Sequence, residues 1–326
     1  MGALLSRAFA AVYDPMMGGV ERAVLASVRR SLLRAASGRV LEVGAGTGSN
    51  LVHYAALAAE VVAAAADNDN GAAAAAADGA APADGGSPAI AAAPAAAGGT
   101  GRPPPPFTRL VLVEPSPLMR RQLHAKLDAL AATAPALAAA VEVADAALPH
   151  LPYPDGAFDT VILFLVLCSV PNVAAAVGEV RRMLAPGGRV LLVEHLPAHA
   201  ATAPVVAAWQ ARLAGLWAAV AGGCQLRRET VAALAAGGLD VGGVTEQSWS
   251  GIDWGADLFL TRVAVGEAHT DEREGMAPTR SKKFTIMASS SGVHQWPFSA
   301  SFVAGCAGSK SSSPAVASPA GAAIPR

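Results

Sequence analysis

The sequence predicts an α/β fold: a mostly parallel, seven-stranded sheet covered by helices on both faces, with its last strand antiparallel. Short, nearly continuous apolar runs alternate with helical patterns along the chain, as expected of strands buried on both faces. The first of these runs ends in a loop of alternating glycines, 44-GAGTG-48, and a helix pattern follows it. The last two runs, 239–247 and 257–265, are joined by a short loop containing Gly251 and Gly255. That loop cannot hold a crossover helix, so the final pair is antiparallel.

Taken in order, residues 1–37 read as an N-terminal helical cap. They are arginine-rich with only Asp14 and Glu21 acidic, and they open with MGALLS, which fits the short, common pattern for myristoylation of Gly2. A structural helix is preferred to a removable transit peptide. Strand 39-RVLEVG-44 leads into a helix at 49–59. Residues 63–107 then turn to alanine, glycine and proline, with one isoleucine and no aromatic before Phe107. Such a segment buries too little surface to offset its ordering entropy and reads as a disordered insertion. Beyond it come strand 109-RLVLVE-114, a helix at 117–131 opened by Pro117, and strands 141-VEVAD-145 and 158-FDTVILF-164. A helix at 172–184 stops at a Pro-Gly-Gly turn before strand 189-RVLLVEH-195, and helices at 202–221 and 228–236 precede the final pair. Residues 266–326 are rich in serine, glycine and proline and read as a disordered tail containing the aromatic stretch HQWPFSASF. The folded domain is therefore assigned to 1–265.

Composition narrows the function. The chain has 326 residues, 53% of them hydrophobic, and a formal charge of −1 from 24 basic and 25 acidic residues. The basic residues are scattered, so no nucleic-acid partner is expected. Cys168, Cys224 and Cys306 lie far apart, outside any C-x-x-C pair and away from a histidine at metal-ligand spacing, so neither a disulfide framework nor a metal is expected. The apolar run 161-VILFLVLC-168 is far short of the roughly 18 residues that suggest a bilayer span. The chain reads as soluble and cytoplasmic, with no obligate protein partner.

The glycine loop departs from a nicotinamide or flavin fingerprint, G-x-G-x-x-G, because Ser49 stands where its third glycine would be. Gly44, Gly46 and Gly48 still let the backbone approach a ligand, and the helix that follows, capped by Ser49 or Asn50, points its N–H groups at negative charge. A single carboxylate suits that site better than a pyrophosphate. The stretch 42-EVGAGTG-48 resembles motif I of class I S-adenosylmethionine-dependent methyltransferases. The resemblance implies S-adenosylmethionine as cofactor, contacted by Glu42, Gly44, Ala45, Gly46, Thr47 and Gly48. It also implies an acid after strand two for the ribose, for which Asp67 and Glu114 compete. Glu114 is chosen, with Pro115 beside it, because it ends a full apolar strand that an amphipathic helix follows. Asp145 with Ala146 matches the adenine position, and Leu165 follows strand four.

Finer features, LVLCSV, then VEH, then WQARLAGLWAAVAGGCQLRRET, resemble the methyltransferase-like 7 group of alkyl thiol S-methyltransferases and their bacterial type 11 relatives. FAAVYDPMM at 9–17 belongs to the likeness, which covers about residues 9–265 without the insertion. Animal members begin with a hydrophobic anchor that is not matched here, so membrane contact is not carried over. Methyl transfer from a sulfonium needs orientation above all, and a thiol acceptor needs ionisation from a pKa of about 8.5. His195, ending strand five, is the best-placed candidate base. Cys168 is a second catalytic candidate, with a small buried hydrophobe as its plain reading. Cys224, in GGCQL, matches the group without a derivable role, and two cysteines are a thin set for methylating arsenic. Trp209, Leu213, Leu216, Trp217 and Val220 fall on one helical face that is expected to line an apolar acceptor pocket or the core, with the N-terminal helix opposite. LVLCSVPN stands where methylation of a nucleic-acid base would show an Asn/Asp-Pro-Pro-aromatic signature. The expectation is thiol S-methylation of a small molecule. The runner-up is C- or O-methylation of a quinone-like or phenolic metabolite, and the reading of another class is an idle cofactor-binding scaffold.

Overall fold

The computed structural model describes residues 2–63, 107–249 and 262–270. The insertion, the loop holding Gly251 and Gly255, and the tail after 270 lie outside the described residues, and the disorder expected of the insertion and tail lies there with them.

Helix α1 (Gly2–Val20) runs through a π-helical turn (Glu21–Leu25) into α2 (Ala26–Leu33). Strand β1 (Gly38–Val43) and helix α3 (residues 51–63) follow. Next come β2 (Phe107–Val113), α4 (Pro117–Ala131), α5 (Pro135–Ala140), β3 (Val141–Ala144) and β4 (Phe158–Phe164). The chain continues through α6 (Val173–Met183), β5 (Leu184–Leu196), α7 (Pro204–Val220), α8 (Thr230–Ala236), β6 (Leu239–Ser248) and β7 (Arg262–Thr270). Local chemistry sets several starts. Pro117, Pro135 and Pro204 occupy first-turn positions, where a missing N–H costs nothing. The Asn172 side chain caps α6 by accepting from the Ala175 N–H at 3.0 Å.

The seven strands order as β3-β2-β1-β4-β5-β7-β6. β1 pairs in parallel with β2 and β4, and β7 pairs antiparallel with both β5 and β6, as the sequence predicts. Side chains alternate between two cores. Val40, Leu110, Leu112 and Ile162 face α2, α3 and α4, whereas Leu41, Val111, Val161 and Leu163 face α6 and α8. Each fully buried leucine contributes roughly 1.5–3 kcal/mol, so both faces hold the sheet. The site residues sit at the carboxyl edge, where the parallel strands end.

The last strand corrects the domain boundary at 265. The composition beginning at 266 reads as tail, yet Gly266 lies inside β7 and pairs with Val244. Its φ is +152°, and a Cβ there would collide with the Gly243 carbonyl oxygen. The glycine is required by close backbone approach at an irregularity of β6. Gly266→Ala should therefore cost about 2 kcal/mol or more, read as a lower urea midpoint with an unchanged slope.

Candidate active site

The loop after β1 is built by its glycines, each with positive φ: +66° at Gly44, +58° at Gly46 and +83° at Gly48. A Cβ on Gly44 would meet Val166 Cγ2 at 2.7 Å, and one on Gly48 would meet Leu123 Cδ1 at 2.6 Å. Packing explains those two. At Gly46 the nearest atom would be the Gly44 carbonyl oxygen at 3.9 Å, so the space over it is open. Gly44 and Gly46 line a cavity of about 540 Å³. Ala45 is tied down by its N–H to the Val113 carbonyl, 3.0 Å.

Glu114 leaves β2 facing the same cavity. Oε2 accepts the Gly46 N–H at 2.9 Å and Oε1 accepts the Ser116 N–H at 2.8 Å. Burial pushes this carboxyl up, and those two N–H bonds pull it back. The competing stretch at 60–63 is helical, with Glu60 paired to Arg30 and Arg34, and Asp67 lies outside the described residues. Pro115, Ala146 and Leu165 also line the cavity.

Three other predicted contacts point elsewhere. The Asp145 carboxylate is gripped by both terminal nitrogens of Arg120 at 2.6 Å, and its side chain is 68% exposed. Glu42 faces the interior, accepting from Asn50 Nδ2 at 3.0 Å and Tyr54 Oη at 2.6 Å, with burial raising its pKa. The Thr47 hydroxyl donates to Asp14 at 2.5 Å and accepts from Lys126 Nζ at 3.2 Å. Thr47 thus anchors α1 against the loop.

At the far end of the cavity, buried Glu194 on β5 gathers the crossing after β4. Oε1 accepts the N–H groups of Val166 and Leu167 at 2.7 Å each, and Oε2 accepts that of Cys168 at 3.4 Å. Burial raises its pKa to about 7 against the pull of those bonds. Leu165, with a φ of +61°, is where the backbone turns, and its N–H reaches the Val193 carbonyl at 2.7 Å.

His195 and Cys168 both line this end, and Cys224 joins them. The positive-φ pair Gly222-Gly223 turns the chain back, Gln225 N–H bonds the Cys168 carbonyl at 2.9 Å, and Arg228 Nη1 bonds the carbonyls of Leu167 and Val170. Cys224 Sγ then lies 3.0 Å from His195 Nε2. Hydrogen bonds from Cys168 and His195 draw the Cys224 thiol well below its usual range, and that same contact with Cys224 pushes the Cys168 thiol up. Burial is the largest influence on His195 and lowers its pKa, but the Cys224 contact and the Glu194 charge together turn the net direction upward. The donor atoms of Cys168, His195 and Cys224 all lie within 4.8 Å of one another. Spacing along the chain could not show this, because the crossing after β4, the strand β5 and the turn after α7 each supply one member. The only sequence signal for Cys224 was its place after two glycines.

Helix α1 forms the other wall through Phe9, Tyr13, Met16 and Met17, as expected. Helix α7 departs from its predicted stripe. Trp217 reaches the cavity, but Trp209 and Leu216 are 48% and 65% exposed. Gln210 is buried instead, accepting the Ala198 N–H at 2.8 Å. That bond turns the helix away from its most apolar face.

A Rossmann-like sheet with a reversed last strand, a glycine loop and an acid ending β2 define a methyltransferase-type α/β domain. The family described as "Methyltransferase domain" matches residues 18–235, and the chain belongs to it. Among curated relatives, human thiol S-methyltransferase TMT1A is 41% identical over 80 residues, 24% of this chain and 32% of that protein. Demethylmenaquinone methyltransferase of Thermus thermophilus is 45% identical over 47 residues, 14% of this chain and 21% of that protein. The chain thus spans about a third or less of these relatives' length. Among solved structures, the N-methyltransferase NodS of Bradyrhizobium japonicum, in complex with S-adenosyl-L-homocysteine, is 14% identical, with 76% of this chain and 85% of that chain covered and a TM-score of 0.42.

Glu194→Ala would leave three N–H groups, two of them buried, without an acceptor at about 1–3 kcal/mol each. The variant should unfold at a temperature lower by about 6 °C or more, and an unchanged melting curve would remove Glu194 from its structural role.

Proposed function

We propose that this protein transfers a methyl group from S-adenosylmethionine to a small apolar thiol. One observation carries the reading: a single cavity runs from the glycine loop and Glu114 to the cluster of Cys168, His195 and Cys224. The cofactor fits the first end. Gly46 leaves room that a Cβ would take. Glu114 accepts one N–H on each oxygen, leaving lone pairs for a ribose diol. Gly44, Gly46, Glu114 and Pro115 are the residues we assign to it, with Ala146 and Leu165 bounding the base and the reacting end. Asp145 joins them on release from Arg120. Bound S-adenosylmethionine would supply an electrophilic methyl group on a sulfonium.

The chain's own residues place the acceptor. Phe9, Tyr13, Met16 and Met17 exclude water and take an alkyl group. His195 Nε2 is already engaged by Cys224, so the ring stands beside the acceptor as a hydrogen-bonding group and not as an idle base. We assign His195 to lowering the acceptor's pKa. The partial likeness to human TMT1A supports a thiol. The shorter likeness to a demethylmenaquinone methyltransferase supports a quinol as second reading.

The test is transfer of labelled methyl from S-adenosylmethionine to an alkyl thiol, hydrogen sulfide, a phenol and a quinol. Label on the thiols is expected. Label on the quinol alone would replace the reading, and cofactor binding without transfer would make the protein a binding module. Gly46→Val and Glu114→Ala should each weaken cofactor binding about 100-fold, equivalent to ~2.7 kcal/mol. Titration calorimetry would measure this, and retained affinity in both variants would move the cofactor site elsewhere.

A further inference from the structure

We infer that Cys168, Cys224 and His195 form a zinc site whose fourth coordination position opens into the cavity and takes the acceptor's sulfur. The site itself is read from geometry, and its role rests on the thiol reading above. Two sulfurs and one ring nitrogen lie within 4.8 Å of one another, on three chain segments. All three residues line the cavity. Cys168 and His195 are buried and Cys224 is half-buried. Two cysteines and one histidine with a vacant fourth place is a ligand set that catalytic zinc uses, with Zn–S near 2.3 Å and Zn–N near 2.0–2.1 Å. Those bond lengths put tetrahedral donors about 3.4–3.8 Å apart. His195 Nε2 and Cys224 Sγ, at 3.0 Å, therefore need to part by only about half an ångström. The Cys168 sulfur already contacts that of Cys224, and its other contacts, 3.6 Å to the Leu165 carbonyl and 3.5 Å to Ser169 Oγ, are weak.

Charge favours the same occupant. Two thiolates neutralise a dication, so the loaded site carries no net charge into an apolar cavity. A mixed sulfur and nitrogen set selects zinc over magnesium or calcium, which prefer oxygen. The rigid partners are present as well. Glu194 and Arg228 fix the backbone of residues 166–170, and the Gly222-Gly223 turn, closed by the Cys224 N–H to the Ala221 carbonyl at 3.1 Å, places Cys224. An acceptor thiol entering the fourth position loses its S–H proton to solvent as its sulfur bonds the ion. Its electron pair then forms the new S–CH₃ bond while the sulfonium S–CH₃ bond breaks, and that pair leaves on the cofactor's sulfur.

The experiment uses the full-length chain, reduced and metal-free, in a Cys306→Ser background so that the third cysteine contributes nothing. Zinc affinity is measured against a chromogenic chelator, and cobalt is added in parallel as a spectroscopic stand-in. One zinc per chain is expected, with thiolate-to-cobalt charge transfer and tetrahedral cobalt bands. Cys168→Ser, Cys224→Ser and His195→Ala should each weaken zinc by more than about 100-fold, beyond what loss of an outer partner costs, while S-adenosylmethionine affinity reports that the fold persists. A wild-type chain that takes no zinc from the chelator overturns the inference, and so does zinc retained unchanged in Cys224→Ser. Should a variant fail to fold, the wild-type cobalt spectrum decides, since octahedral bands without charge transfer exclude these ligands. Thiol methylation by the metal-free protein at the zinc-loaded rate also overturns the inference while leaving the thiol reading intact. Zinc binding without any thiol methylation keeps the metal site and removes the thiol reading.

Discussion

The buried carboxylate of Glu194 is the constraint on which the acceptor end of the cavity depends. Parallel strands end with unpaired N–H groups, and a crossing that must turn sharply leaves several of them in the interior. Glu194 meets this need from the neighbouring strand by accepting from Val166, Leu167 and Cys168. Leu165 can then hold a conformation that leucine otherwise avoids. Val166 comes close enough to the loop that only glycine fits at 44. One carboxylate thus couples β4, β5, the glycine loop and Cys168.

The same solution recurs along the carboxyl edge. Glu42 near the end of β1 ties α3 to the sheet through Asn50 and Tyr54, and Arg29 extends the network from α2 through Asn50. Glu114 after β2 joins the glycine loop to the start of α4. Each acid is buried and is compensated by donors from a loop or helix that has to be placed. Their energetic cost is substantial, since burial raises the pKa of all three. What it secures is a rim of fixed backbone in which the side chains left over face the cavity.

Much of this was legible in the sequence because it is periodic or local. The run 158-FDTVILF-164 marks β4 to the residue, and Pro117 marks the start of α4. Glu114 could be chosen over Asp67 because an apolar strand precedes it, and β2 pairs with β1 directly before it. The losses have a common cause. Gln210 turned α7 because a polar side chain found a buried backbone partner, and hydropathy has no term for that. Residues 266–270 read as the start of the tail because the partner that explains Gly266, the Gly243 backbone, lies on another strand. Cys224 was silent because its neighbours are set by the sheet order and a glycine turn, and not by spacing along the chain.

Helix α3 ends at residue 63 and β2 starts at Phe107, both on the amino edge of the sheet. Glu114 stands at the other end of that strand, roughly 20 Å away at the usual rise per residue. Lengthening the chain between these two anchors adds closure entropy only slowly and displaces neither end of β2. The fold thereby separates its permissive edge from its reacting edge. A label, a tether or a fused module grafted between α3 and β2 would be carried by the same strand that carries Glu114, while its attachment points stay a full strand length from the chemistry.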